Sequence, residues 1–310
     1  MSWHPIAAAV ALATSLTGAA AEAPPPEDTA IDILEIERER YERMTVAVTI
    51  QGQGPFDFLI DTGAQATVLS RDLADRLQLN DRGSAILIGM ASSMTVETTP
   101  IEDFTLGSRS FYIRQAPVLE RANIGEADGI LGLDSLQDQR VLLDFVKREI
   151  SVADAEQLGG GRGFEIVVKA RELLGQLIIT SARLDGVRVQ VIVDTGAQGS
   201  VGNLALFNRL RRNRKLEDTV MTDVNGFTLG GVVRVAGELE MGRASIQNFP
   251  VLFADSRPFH ILGLADEPAL ILGMSELKLF RRVAIDFKTQ RVLFDMPASA
   301  WNRPFISTGT

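Results

Sequence analysis

Short runs of Val, Ile, Leu and Phe recur along residues 40–297, each broken within a few positions by Gly, Asn or Asp. Such spacing predicts short strands joined by hairpin turns. Helical periodicity is rare. Its clearest instances are Ser70 to Leu79, where Leu73 and Leu77 share a face behind Ser70 as a candidate N-cap, and Asn203 to Lys215. The pattern predicts a mainly β chain with a few short helices.

The pattern also repeats, and a repeat decides the architecture before any single element does. Phe58-Leu59-Ile60-Asp61-Thr62-Gly63-Ala64-Gln65-Ala66-Thr67-Val68 is matched by Val191-Ile192-Val193-Asp194-Thr195-Gly196-Ala197-Gln198-Gly199-Ser200-Val201, so the aspartates at 61 and 194 stand 133 residues apart. Each copy continues with a turn at Leu106-Gly107 or Met241-Gly242 and a strand at Pro117 to Leu119 or Pro250 to Leu252. Then come Ile130-Leu131-Gly132 or Ile271-Leu272-Gly273, beginning 69 and 77 residues after their aspartates. Each copy closes on an apolar strand with Asp-Phe at its centre, Val141 to Val152 and Val283 to Phe294. Ile261-Leu262-Gly263 duplicates the Ile-Leu-Gly landmark, but the later copy lies 15 residues before its Asp-Phe, against 14 in the first half. The chain is read as lobes at 40–155 and 164–297 joined by a flexible 156–163, with a tail at 298–310.

Charge and composition narrow the function. Thirty-one Lys and Arg against 40 Asp and Glu give a net charge of −9, which disfavours a nucleic-acid partner. There is no cysteine, and the two histidines are His4 and His260, so thiol nucleophiles, a Ser-His-Asp triad and common zinc sites lack their residues, and no metal or cofactor is expected. Residues 5–18 are weakly apolar and lead into Ala19-Ala20-Ala21, which reads as an export signal over 1–21, too short for a membrane span. A periplasmic or secreted location follows from it. Residues 22–39, rich in Pro, Ala and acidic groups, are read as a flexible lead or pro-segment. Five cations, Arg209, Arg211, Arg212, Arg214 and Lys215, fit a solvated helix C-terminus better than a surface for an acidic partner or a membrane.

Carboxylates are left to carry the chemistry. An apolar run ending in Asp-Thr-Gly-Ala puts a carboxyl at the end of a buried strand, where the glycine lets backbone amides approach it. Alone, such a turn is an ordinary Asx turn. Two copies in matching halves bring Asp61 and Asp194 face to face if the lobes pack about a twofold axis. Two carboxyls in contact share one proton, so one can donate to a carbonyl oxygen while the other takes a proton from water.

These residues resemble the active-site turns of retropepsin-like aspartic proteases, with both half-sites in one chain as in the pepsin-like enzymes. The resemblance implies a bilobal fold of two pseudo-twofold-related β-barrel-like lobes, with Asp61 and Asp194 as the catalytic dyad. It implies that Thr62 and Thr195 hydrogen-bond across the lobes, that Gly63, Ala64, Gly196 and Ala197 support the carboxyls, and that Gly132 and Gly273 pack beside the turns. It implies flap hairpins too, placed at Ile88-Gly89-Met90-Ala91 and Val224-Asn225-Gly226-Phe227; on residue grounds alone these also fit plain surface hairpins. The chain departs from pepsins in having Ala64-Gln65 where they carry hydroxyls, and neither of its tyrosines, Tyr41 and Tyr112, lies in these stretches. The expected activity is endopeptidase cleavage of an extended peptide by a monomer with an internal pseudo-dimer; the other reading is a catalytically silent peptide-binding scaffold of the same fold.

Overall fold

In the computed structural model each half of the chain closes a ring of six strands. Described are residues 44–296 except 108, 138, 154–157, 159, 160, 162, 211–214 and 224, together with short strands at Ile6–Ala7, Ala11–Ala13, Asp32–Glu35, Glu37–Arg38 and Ile306–Thr308. The remainder of segments 1–21, 22–39 and 298–310, most of the 156–163 connection, Tyr41, Arg211, Arg212, Arg214 and Val224 lie outside the described residues.

The first lobe comprises β1 (Met44–Ile50), β2 (Gln53–Ile60), β3 (Val68–Ser70), α1 (Arg71–Arg76), β4 (Gly83–Ile88), β5 (Ser93–Leu106), β6 (Arg109–Leu119), β7 (Gly129–Leu131) and α2 (Leu133–Leu136). Its ring runs β1-β2-β7-β3-β6-β5 and closes where β5 returns to β1. After β8 (Arg140–Asp144) and β9 (Glu149–Ala153), the second lobe repeats the order with β10 (Ile166–Leu173), β11 (Gln176–Leu184), β12 (Val187–Val193), β13 (Ser200–Gly202), α3 (Leu204–Arg209), β14 (Lys215–Asp223), β15 (Thr228–Met241), β16 (Ala244–Phe253), α4 (Arg257–Ile261), β17 (Ala269–Leu272), α5 (Met274–Leu277), β18 (Arg282–Asp286) and β19 (Arg291–Asp295). Its ring is β11-β12-β17-β13-β16-β15, closed by the β15–β11 pairing. The mainly β, two-lobed expectation holds, and among the described residues no helix is long and apolar enough to cross a membrane.

Strand alternation fails where it matters most. In β2 the exposed Asp57 sits between buried Phe56 and Phe58, yet Leu59 and Ile60 are both buried because they enter different apolar clusters on opposite faces. In β12, Ile192 and Val193 do the same. A strand covered on both sides reads as an unbroken apolar run, and each such run ends in the Asp-Thr-Gly-Ala turn.

Three expectations need correction. The helix at Ser70 forms with Ser70 Oγ accepting the Leu73 amide at 3.2 Å, but it ends at Arg76. The one at Asn203 is capped by Asn203 Oδ1 on the Leu206 amide at 2.8 Å and stops at Arg209, because Leu210 is already extended; Lys215 opens a strand instead. The Asp-Phe segments are hairpins rather than single strands. Asp144 Oδ1 accepts the amides of Val146 and Lys147 at 3.0 and 2.8 Å, and Asp286 Oδ1 accepts that of Thr289 at 2.8 Å. A carboxylate that captures amides two or three residues ahead reverses the chain there.

These two hairpins join the lobes. β8 and β18 pair antiparallel from Arg140↔Asp286 to Asp144↔Arg282, at the centre of the strand order β10-β19-β18-β8-β9. Arg140 donates to Asp286 Oδ2 from two nitrogens, at 2.6 and 3.2 Å, and both side chains are buried.

Candidate active site

The shared sheet and the two rings bring the Asp-Thr-Gly-Ala turns together. Asp61 and Asp194 are 0% and 1% exposed, and the two carboxyls lie near enough for the charge of Asp194 to raise the pKa of Asp61. Asp61 Oδ1 accepts the amides of Gly63 and Ala64 at 2.8 and 2.9 Å; Asp194 Oδ1 accepts those of Gly196 and Ala197 at 2.9 and 3.1 Å. Asp61 Oδ2 is buried and takes no hydrogen-bond donor from the described residues. A methyl on Gly63 would stand 2.5 Å from Asp194 Oδ2, and one on Gly196 would overlap the Asp61 carboxyl, so both positions need glycine for space alone.

The threonines lock the turns to each other. Thr62 Oγ1 donates to Val193 O at 2.9 Å and accepts the Thr195 amide at 3.1 Å. Thr195 Oγ1 donates to Ile60 O at 2.7 Å and accepts the Thr62 amide at 3.0 Å. The four bonds span residues that local folding cannot bring together.

Burial, and then the charge of Asp194, raise the Asp61 pKa well above the usual carboxylate range. Burial also lifts Asp194 to about 6, against the hydrogen bonds from Asp61 and the two amides. Both carboxyls therefore hold protons more tightly than free aspartates do, and they titrate as a coupled pair. Ala64 and Ala197 offer the pair only their backbone amides.

Gly132 and Gly273 begin α2 and α5 under the turns in extended conformation. A methyl on Gly273 would lie 2.6 Å from Gly199 O, so a larger residue pushes on the Asp194 turn. β17 also decides between the duplicated Ile-Leu-Gly segments: Ile271 and Leu272 pair with Ile192 and Val193 as Ile130 and Leu131 pair with Leu59 and Ile60, whereas Ile261 ends α4. His260, in α4, is half-exposed and meets Asp255 Oδ1 at 2.6 Å.

Sequence reading did not single out the carboxyls behind the turns. Asp134 receives the Thr67 hydroxyl at 2.6 Å, and Glu276 receives the Ser200 hydroxyl at 2.5 Å. Both lie two or three residues after an Ile-Leu-Gly, which was the available signal. Gln176 reaches from the second lobe to donate to Gly63 O at 2.7 Å. Burial raises Glu276 to about 7 in spite of the Ser200 bond. A folded-state pKa above the unfolded value of 4.5 means the folded protein holds this proton more tightly, so stability is full below pH 4.5 and declines as pH rises towards 7. Glu276→Gln should therefore match the unaltered chain in urea unfolding at pH 4 and exceed it by about 2–3 kcal/mol at pH 8; equal stability at pH 8 contradicts this.

The two hairpins lie where the flap stretches were placed. Ile88 ends β4, and Gly89 and Met90 form the first tip, where the Gly89 amide donates to Ser92 O at 2.9 Å. Leu87 belongs to the buried cluster containing Ala64, and Met90 to the one containing Ala197, so the first hairpin reaches from one turn to the other. Asn225 and Gly226 form the second tip, and Asn225 Nδ2 donates to Ser92 Oγ at 2.9 Å. A groove of about 1080 Å³ opens beside the first turn, lined by Gln65, Ala66, Arg82, Ile86, Tyr112 and Arg114 among others.

Comparison with protein families finds one whose model, described as aspartyl protease, matches residues 46–135 and 180–275, one match in each lobe. Comparison with curated proteins finds no match.

Proposed function

The chain belongs to the aspartyl protease family, and we propose that it is an endopeptidase whose dyad is Asp61 and Asp194. The observation that carries this is the meeting of two buried carboxyls from positions 133 residues apart, each held by two backbone amides and able to share one proton. The protonated carboxyl, Asp61, donates to the oxygen of the scissile carbonyl. The ionised one, Asp194, takes a proton from the attacking water, and the resulting gem-diol collapses as the departing amine is protonated. Thr62, Thr195, Gly63 and Gly196 hold the carboxyls in place, and neither a metal nor a covalent intermediate is required.

The substrate binds extended beneath the hairpins as an added strand. Short segments of the chain's own N-terminus support that mode: Ala11–Ala13 pairs antiparallel with β4, and Ile6–Ala7 parallel with β14. One strand crossing a twofold axis between equivalent hairpins must run antiparallel to one and parallel to the other. Export by residues 1–21 belongs to the same proposal.

Incubation with a peptide library at pH 3 to 9 tests the reading. Cleavage is expected to be best near pH 6 or above and to fall in acid, where the second carboxyl is protonated. No cleavage at any pH, with a hydroxyl-bearing peptide mimic of the tetrahedral state still bound, would instead favour the silent scaffold.

A further inference from the structure

The turn that carries Asp61 is held from both lobes. β10 belongs to the sheet that joins the lobes and β11 to the second ring, and the turn between them is Leu174-Gly175, with φ of 50° and 83°. This turn lies against the Asp61 turn of the first lobe. Gln65 Nε2 donates to Leu174 O at 2.9 Å, and Gln176 Nε2 donates to Gly63 O at 2.7 Å. A methyl on Gly175 would stand 2.8 Å from Nε2 of Gln137, the residue that ends α2. Gln176 is 4% exposed, and its Oε1 is buried with no hydrogen-bond partner among the described residues. An apolar residue would fill the same space without the cost of that buried oxygen.

The Gln176 bond ends on a particular peptide group. Gly63 C=O and Ala64 N–H belong to one peptide unit, and that N–H donates to Asp61 Oδ1 at 2.9 Å. A series of donors therefore runs from the Gln176 amide through the peptide to the carboxyl. Hydrogen bonds in series polarise one another, so a donor on the carbonyl strengthens the N–H bond at the other end. In the second turn the Ala197 amide serves Asp194 at 3.1 Å, and the Gly196 carbonyl takes no donor from the described residues.

We infer that Gln176 is a positioning residue for Asp61: it crosses from the second lobe to fix and polarise the peptide group whose amide faces that carboxyl. Its part in catalysis rests on the peptidase reading; its effect on Asp61 does not. The Ala64 bond favours the ionised carboxyl, against burial and the charge of Asp194, so a weaker bond leaves Asp61 holding its proton more tightly.

Carbon NMR of the full chain, labelled at its aspartate carboxyls and titrated from acid to alkali, tests this. The Asp61 signal is identified by its loss in Asp61→Asn. Gln176→Met nearly keeps the volume and removes the donor, and should move the Asp61 midpoint to higher pH. Gln65→Met removes the other bond to the same hairpin but leaves the one on the Gly63 carbonyl, and should leave that midpoint in place. With a cleaved peptide, Gln176→Met should lower kcat about three- to tenfold, the value of one buried hydrogen bond, while KM stays within about twofold. The alkaline limb of its pH profile should move upward with the Asp61 midpoint. In the unaltered chain, where no variant has to fold, the Ala64 amide proton should resonate downfield of that of Ala197. An Asp61 midpoint unmoved by Gln176→Met, or moved equally by both variants, overturns the inference, as does an Ala64 proton level with or upfield of Ala197. If the unaltered chain cleaves no peptide, the peptidase reading falls, and the titration still decides the role of Gln176.

Discussion

Asp194→Asn is expected to lower peptide hydrolysis by about 10³- to 10⁴-fold, and Asp61→Asn by as much, because either change removes one partner of a two-carboxyl proton exchange. Asparagine keeps the shape, and its Oδ1 can still accept the two amides of its turn, so the loss is chemical. Stability should move the other way. Both carboxyls have folded-state pKa values above their ordinary ones, so the folded chain ionises them at a cost that is absent in acid and grows as pH rises past 4. A neutral amide avoids that cost. At pH 8 each variant should therefore melt at or above the temperature of the unaltered chain while cleaving almost nothing. A variant that keeps more than about a tenth of the cleavage rate removes its carboxyl from the dyad. A variant that is both inactive and less stable at pH 8 means that the charge is structural.

The second large effect is expected in the sheet that joins the lobes. Arg140→Ala should destabilise the fold by about 3–5 kcal/mol, because Asp286 is fully buried and would lose its counter-charge. Asp286 titrates below the ordinary aspartate value: burial pushes it up, but the Thr289 amide and Arg140 outweigh that. Its contribution is present above the unfolded value of 3.8 and is lost as pH falls through the folded value, so the penalty of Arg140→Ala should shrink in strong acid. Urea unfolding at pH 7 and pH 3 measures both. Replacing the pair together by Met and Leu should recover most of the stability, since the cost lies in an unpaired buried charge. A loss below about 1 kcal/mol for Arg140→Ala at pH 7 would show that water reaches Asp286.

Much of this was legible before any coordinates. The Asp-Thr-Gly-Ala turns are local: an apolar run, a carboxyl that captures the next amides, and a glycine that leaves room. Ser70 and Asn203 announce their helices for the same reason, by capping amides three residues ahead. Errors arose where a local signal had two outcomes. Val141 to Val152 is apolar enough for one strand, but Asp144 turns it, and the apolar period is the same on both sides of the turn. The cations after Arg209 extend the helical pattern on paper, whereas the described helix ends at that residue.

What lay beyond reach is long-range. That Ser256 would meet Met90, 166 positions earlier, or Gln176 the Gly63 carbonyl, 113 positions away, has no trace in spacing or composition. The unequal Ile-Leu-Gly intervals of 69 and 77 residues did mark where the halves differ, without saying that the extra residues would hold the opposite hairpin.

The order of residues determined the duplicated turns, their glycines and the mainly β character, because hydrogen bonds and apolar periodicity over a few residues are written directly in the chain. Tertiary structure decided that the two carboxyls are buried together, that burial raises the pKa of both and that Met90 at the first hairpin tip is buried while Gly226 and Phe227 at the second are exposed. Those properties depend on burial and on contacts between segments more than a hundred residues apart, and they take their values only when the lobes close on each other.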